Sequence, residues 1–261
     1  NFSNKAWFID SLSKIILDEK GLHFDQFTIK LNQESLIIDG YLNKKPNLNF
    51  SFHQFALHHI NPFLSNPLMT FDGLLRGDVF YNKSLFPSLA GNFEVDDFIF
   101  NNIHLGKLNL NNSFNTQNDS LHTFGVITNK EDIMRFEAQY PLDGSNYINA
   151  DISLKNFPSA VLDDLIKPIS NVSGNTYGDI NLTGLINNYN LSGNIKTNNV
   201  MFDVPYLKQT YFNDIDTLET IFTNNSIIIQ DFTLYDNQYK TKAMLYGNIE
   251  HRALKNMAYQ L

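Results

Sequence analysis

A repeat of about a hundred residues constrains this chain more than any local motif does. Gly91-Asn92-Phe93, followed by Phe98 and Phe100, returns 102 positions later as Gly193-Asn194-Ile195, followed by Val200 and Phe202. Gly73 and Gly77 return as Gly174 and Gly178 at 101, and Phe50, Phe52 and Phe55 return as Ile152, Leu154 and Phe157 at 102. A second set of matches lies near twice that distance: Leu12 with Leu218 (206), Phe27-Thr28-Ile29 with Phe232-Thr233-Leu234 (205), and Gly40 with Gly247 (207). Matched glycines flanked by apolar pairs at one offset are harder to obtain by coincidence than scattered apolar matches. The repeat predicts a first β region over 1–101, a second over 102–203 and a partial third over 204–261, together forming one continuous elongated domain.

Within a unit the pattern has period two. Leu48-Phe50-Phe52, Leu89-Gly91-Phe93-Val95, Ile148-Ala150-Ile152-Leu154, Ile180-Leu182, Leu191-Gly193-Ile195, Ile227-Ile229 and Leu245-Gly247-Ile249 alternate with mainly polar residues. Such alternation makes one face of a strand apolar and leaves the other wet. Turn-forming clusters separate the runs, at 43–46, 115–120, 143–146, 187–190 and 223–226. Strands recurring this often, with no long helical pattern between them, predict an antiparallel meander rather than βαβ units. Two segments break the alternation at equivalent places. Ser159 to Ile166 has helical spacing and stops before Pro168, and a shorter counterpart starts at Asn61-Pro62; both are expected to be helices of one or two turns.

The charge pattern and the residue inventory exclude several function classes. The chain of 261 residues has a net charge of −8, and Lys44-Lys45 is the nearest thing to a basic patch, which argues against nucleic acid. It has no Cys, so no disulfide framework or thiolate chemistry. No apolar run approaches the length of a transmembrane helix, and no signal peptide opens the chain. Both ends read as cut, and any membrane anchor is expected outside this span. Seven His are scattered, and the adjacent pair His58-His59 would diverge on a strand, so no metal site is expected. Asp96-Asp97 and Asp163-Asp164 would diverge too, or lie on a solvated face. Gly73 to Gly77 and Gly174 to Gly178 lack the Lys-Ser/Thr of a phosphate cradle and read as bulges or close backbone approaches. No catalytic constellation and no cofactor motif emerges.

One stretch carries a resemblance. It runs Gly174-Asn-Thr-Tyr-Gly178-Asp-Ile-Asn-Leu-Thr-Gly184, then Tyr189-Asn-Leu191-Ser-Gly193-Asn-Ile195, then Val200-Met-Phe202-Asp-Val204-Pro205-Tyr206-Leu207, with Tyr246-Gly247-Asn248-Ile249-Glu250-His251 after it. This resembles the AsmA-like membrane-bridging family, in particular its TamB-type translocation and assembly module branch. The likeness is densest over 174–251, looser over 73–100, and slight over 101–147. It implies an all-β fold: an elongated, repetitive antiparallel sheet curled into a taco-like hydrophobic trough, with short helices. It further implies a periplasmic protein anchored in the inner membrane of a Gram-negative bacterium. Such a protein would serve phospholipid transport to the outer membrane or outer-membrane protein assembly, with acyl chains and an Omp85-type barrel as partners.

On that reading the residues lining a lipid groove are Phe50, Phe52, Phe93, Val95, Ile152, Leu154, Ile180, Leu182, Ile195 and Ile227. The same alternation equally suits a closed two-sheet core. The rival to lipid passage is therefore a structural or interaction module, a scaffold or adhesin, with a packed interior. A carbohydrate-active β-sandwich enzyme would need a cleft of converging carboxylates.

Overall fold

The computed structural model describes residues 6–64, 69–82, 88–115, 119–142, 144–163, 169–186, 188–236, 238, 240–252 and 255–260. The chain is all-β, every resolved ladder is antiparallel, and two short 3-10 helices are the only helices among the described residues. It divides into two compact units.

The first unit comprises 1–130 and 139–144. It contains β1 (Phe8–Ile9), β2 (Lys14–Asp18), β3 (Gly21–Leu31), β4 (Glu34–Leu42) and β5 (Asn47–Ala56). A 3-10 helix (Leu57–Phe63) follows, then β6 (Phe71–Asn82), β7 (Ser88–Phe100), β8 (Ile103–Asn115) and β9 (Ser120–Asn129). From β2 to β9 each strand pairs with the next, while β1 pairs with β3. The chain passes to the second unit in β10 (Glu131–Pro141). That unit contains β11 (Tyr147–Pro158), a 3-10 helix (Ser159–Leu162), β12 (Ser170–Leu185) and β13 (Asn188–Val204). Then come β14 (Gln209–Asn213), β15 (Leu218–Phe222), β16 (Ser226–Asp236), β17 (Lys242–Arg252) and β18 (Lys255–Gln260). Strand β13, 17 residues long, is the widest ladder partner in the chain, carrying β12 on one side and both β14 and β15 on the other.

The hundred-residue repeat is visible in the register itself. Phe52↔Gly77, a bulge, then Phe55↔Leu75 in the first unit repeats as Leu154↔Gly178, a bulge, then Phe157↔Thr176 in the second. Phe24↔Gly40, a bulge, and Phe27↔Ile38 repeats as Ile229↔Gly247, a bulge, and Phe232↔Leu245. One match slips: Leu12 lies in the turn before β2, and the pairing sets Ser13 rather than Leu12 in the place of Leu218. A bulge inserts an extra residue, bends its strand and sharpens the twist. These bulges recur at matching places in the two units, and each bends the strand that carries it.

Some of the Asn residues have a backbone reason. Among the described residues, seven of the fourteen non-glycine positions with positive φ are Asn, including Asn156, Asn171 and Asn199 at bulges and Asn101-Asn102 in the β7–β8 hairpin. Asn tolerates the left-handed region better than most side chains.

The 3-10 helices sit at equivalent points, 102 residues apart, each entered from an extended cap at Ala56 or Pro158. The first begins at Leu57, four residues before the expected Asn61-Pro62 start, and Pro62 lies inside it. Asn61 is recruited elsewhere: its Nδ2 donates to the Phe71 carbonyl (3.0 Å) and its Oδ1 accepts from the Phe71 N–H (2.9 Å). A side-chain amide thus fills the place of a strand neighbour at the start of β6. In the second helix, Ser159 to Asp163 are described, and the expected helical residues 164–166 lie outside the described residues.

Buried apolar side chains gather mainly beyond the bulges. In the first unit these include Val95, Phe98, Leu105 and Ile127; in the second, Val200, Phe232 and Leu234 pack with Phe202, Tyr211, Leu218 and Leu245. Gly73 permits this packing, since a Cβ there would stand 2.7 Å from Val95 Cγ1.

Candidate functional site

Directly paired residues on neighbouring antiparallel strands project to the same side, so the registers trace rows of side chains across each sheet. In the first unit one row runs Ile29, Leu36, Phe52, Gly77, Phe93, Leu110, Gly125. The row beside it runs Phe27, Ile38, Phe50, Val79, Gly91 and then turns polar at Asn112 and Thr123, whose hydroxyl donates to Asn112 Oδ1 (2.5 Å). In the second unit the rows are Ile152, Ile180, Gly193, Phe222, Ile227, Ile249 and Leu154, Gly178, Ile195, Thr220, Ile229, Gly247. No charged residue interrupts these four rows.

The ten residues picked from the sequence all fall on this side of their sheets. Phe50, Phe52 and Phe93 come together in the first unit, with Val95 one pair further along β7. Ile152, Leu154, Ile180, Leu182, Ile195 and Ile227 come together in the second. Nine of the ten are half-buried, neither packed away nor bare. Val95 differs: at 2 % exposure it belongs to the packed interior and offers a ligand no surface. The polar alternates Asn92, Glu94, Asp151, Ser153, Asp179, Asn194 and Lys196 are exposed on the opposite side.

Sequence reasoning missed several members of the rows. Leu110 alternates with Leu108 and was within reach of the period-two signal. Leu36 and Ile38 flank Ile37, and Phe222 follows Ile221, so runs of adjacent apolar residues hid which of them faces inward.

Glycine spaces the rows. Gly77 separates Phe52 from Phe93, and Gly178 separates Leu154 from Ile195. A Cβ at either position would stand 2.1 Å from a backbone carbonyl of the neighbouring strand, Asn92 or Asn194. These glycines are close backbone approaches, and they leave shallow gaps between large side chains.

The opposite side is held by polar contacts. Asn181 Nδ2 donates to Asp151 Oδ1 (2.7 Å), Asn194 Nδ2 to Glu219 Oε1 (2.6 Å), and Lys107 Nζ pairs with Glu94 (2.7 Å). That pairing raises the Lys107 pKa above the usual lysine value, chiefly through the hydrogen bond to Glu94. Phe80, Phe124 and Ile228 stand among these groups, exposed.

The described groups considered for chemistry have separate partners. His58 and His59 lie on the first 3-10 helix, not on a strand as expected. Their rings are 4.3 Å apart, yet each nitrogen that bonds has its own acid: His58 Nδ1 meets Asp72 (3.3 Å) and His59 Nε2 meets Glu34 (2.9 Å). His59 is buried against Trp7 and Phe55, as part of the packing. Asp96 and Asp97 sit in the β7 bulge, paired outward with Arg76 (3.3 Å) and His104 (3.5 Å). Asp163 Oδ1 accepts from the Val172 N–H (3.1 Å), and Asp164 lies outside the described residues. Among the described residues no three His, Asp or Glu cluster to hold a metal ion, and no helix is long and apolar enough to cross a membrane. A cavity of about 500 Å³ in the second unit is lined by Asp214 and Asp236 with Val200, Lys208 and Phe212. There Asp236 accepts from the Gln238 N–H (2.9 Å) and the Thr241 hydroxyl (3.3 Å), which closes a turn.

Comparison of the chain with protein-family models, curated proteins and solved structures found no match.

Proposed function

We propose that the apolar side of each sheet is a surface for phospholipid acyl chains. On this reading the chain serves a lipid-handling bridge of the AsmA-like kind between the inner and outer membranes of a Gram-negative bacterium. One observation carries the reading: aliphatic and aromatic side chains form uncharged rows across successive strands and are left half-covered. A closed sandwich of this size would bury such rows, because covering them is what stabilises the fold.

The physics of lipid passage asks for little more. A two-chain phospholipid carries on the order of 30 methylenes at ~0.8 kcal/mol each, so crossing water as a monomer costs on the order of 20 kcal/mol. A row that matches the bilayer's polarity removes most of that barrier without binding tightly. Rows that run across the strands pass from one strand to the next, so an acyl chain can move along them without meeting a charge.

A scaffold with a closed interior is the second reading. It is favoured by the packed groups beyond the bulges, with Val95, Phe98 and Leu105 buried. Native mass spectrometry of the gently purified chain, with extraction and analysis of co-purifying lipid, separates the two. Stoichiometric phospholipid, lost in a folded Phe93→Asp, Ile195→Asp double variant, is the expected result. A lipid-free, monodisperse protein, or lipid retained by that variant, refutes the groove and favours the scaffold. An Omp85-type barrel is proposed as the outer-membrane partner on the bridge reading.

A further inference from the structure

We propose that the cavity of about 500 Å³ in the second unit binds a short zwitterionic peptide, about three residues long, with free termini and an apolar centre. Met201, which lines the cavity, alternates with Val200 and Phe202, which pack inward. The cavity therefore lies on the side of the sheet away from the apolar rows, and its occupancy is independent of theirs.

A split strand opens it. In the first unit β7 keeps β8 as its partner on that side from Gly91↔Asn112 to Phe100↔Ile103. In the second unit β13 takes β14 over Val200–Val204 and β15 over Gly193–Thr197, and residues 214–217 loop out between the two. Met201 and Phe212, directly paired, form an apolar floor, with Met201 40 % exposed and the Phe212 ring 6.3 Å from that of Tyr235.

Two opposite charges stand at the ends of this floor. Lys208 precedes β14 and Asp214 follows it, and both line the cavity. Their turns are fixed. Leu207 N–H donates to the Val204 carbonyl (3.0 Å) and Lys208 N–H to that of Pro205 (3.1 Å). Buried Asn213 holds the N–H groups of Ile215 and Asp216 on the other side. The neighbouring carboxylates are engaged: Asp203 by Asn171 (2.6 Å) and Thr210 (2.5 Å), Asp236 by the Gln238 N–H and the Thr241 hydroxyl. Among the described residues neither the Lys208 ammonium nor the Asp214 carboxylate has a partner.

The unpaired charges specify a ligand that carries both signs, since an ion of either sign alone meets only one of them favourably. Five residues of β14 at ~3.3 Å each set the two Cα atoms roughly 20 Å apart. The two side chains and a contact at each end take up about half of that, which leaves roughly 10 Å, the length of an extended tripeptide. Between the ends, the Ser173 hydroxyl and the Asn199 amide are also without partners and can serve a peptide N–H and C=O.

The test titrates Ala-Leu-Ala into the purified chain with its five methionine methyls labelled with carbon-13, Met201 being assigned through Met201→Leu. A saturable shift of the Met201 methyl is expected, with Kd on the order of 0.1–1 mM and the other four signals still. The N-acetylated peptide should bind the wild type about five- to tenfold more weakly, and Asp214→Asn should bind the acetylated and free peptides alike. The C-amidated peptide should show the same loss, removed by Lys208→Met. No saturable Met201 shift below about 10 mM, equal shifts at all five methyls, or blocked peptides binding the wild type as the free one does would overturn the proposal.

Discussion

Replacing Gly178 by Ala tests whether the repeated glycines are close backbone approaches or merely small residues. Gly178 has φ +129°, a conformation that an L side chain adopts at a cost of about 1–3 kcal/mol. The new Cβ would also stand 2.1 Å from the Asn194 carbonyl oxygen and 2.9 Å from Ile195 Cα. Both are backbone atoms, so no side chain can swing aside. Relief needs a local parting of β12 from β13 by roughly 1 Å, which weakens two or three ladder hydrogen bonds worth about 1 kcal/mol each. The two effects together come to about 3–6 kcal/mol. At roughly 3–4 °C per kcal/mol for a unit of this size, the melting temperature should fall by about 10–25 °C.

Two other glycines separate the contributions. Gly144 has φ +83° with nothing within 4 Å of a Cβ, so Gly144→Ala should cost only about 1–2 kcal/mol of conformational strain. Gly91 lacks the positive φ but would set a Cβ 2.1 Å from the Asp78 oxygen, so Gly91→Ala should cost about 2–3 kcal/mol from the displaced ladder alone. Urea and thermal melts followed by far-ultraviolet circular dichroism rank the three. If Gly178→Ala were no more destabilising than Gly144→Ala, the argument from close approach would fail.

Other expectations follow from single side chains. Asn213 is fully buried, donates to the Thr233 carbonyl (2.6 Å) and accepts from the N–H groups of Ile215 (2.9 Å) and Asp216 (2.8 Å). Asn213→Ala should cost about 2–4 kcal/mol by urea denaturation, because it orphans backbone groups in a tight turn. Glu34 Oε2 serves both the Ala56 N–H (2.9 Å) and His59 Nε2 (2.9 Å), so Glu34→Ala should cost about 2–3 kcal/mol and Glu34→Gln less than half that. The hydrogen bond from Lys30 (2.6 Å), and then the Leu12 N–H, hold the Asp10 carboxyl below the usual carboxylate range. A depressed folded pKa contributes stability above the ordinary carboxylate range and loses it as pH falls through the depressed value. Carboxyl NMR titration should show Asp10 moving upward in Lys30→Met, while Asp203, lowered by Thr210 and then Asn171, stays where it is; equal movement of both would refute the pairing.

Sequence alone determined the class of structure. Period two is a property of the strand itself, so Phe50-Ser51-Phe52 or Ile152-Ser153-Leu154 declares a one-sided strand before any partner is known. The offset of 101–102 between Gly77 and Gly178, or Gly91 and Gly193, was equally legible, since a close backbone approach admits no other residue. What the chain could not declare was facing and pairing across bulges. A bulge shifts the side-chain phase by one, so residues beyond Gln54 or Asn156 keep their face only because the partner strand fixes where the extra residue falls. Runs such as Leu36-Ile37-Ile38 carry no phase at all, and only the ladder turns Leu36 and Ile38 inward. His58 and His59 were placed by a helix that begins at Leu57 without a side-chain cap, which leaves little in the local sequence to read. The different burial of β2 and β15 was the least legible feature: Lys14 to Asp18 and Leu218 to Phe222 are similar strands, and the pairing of β15 with β13 is what half-buries it. Local chemistry sets a strand's two faces, whereas its neighbours are a choice among many ladders, settled when the whole sheet assembles.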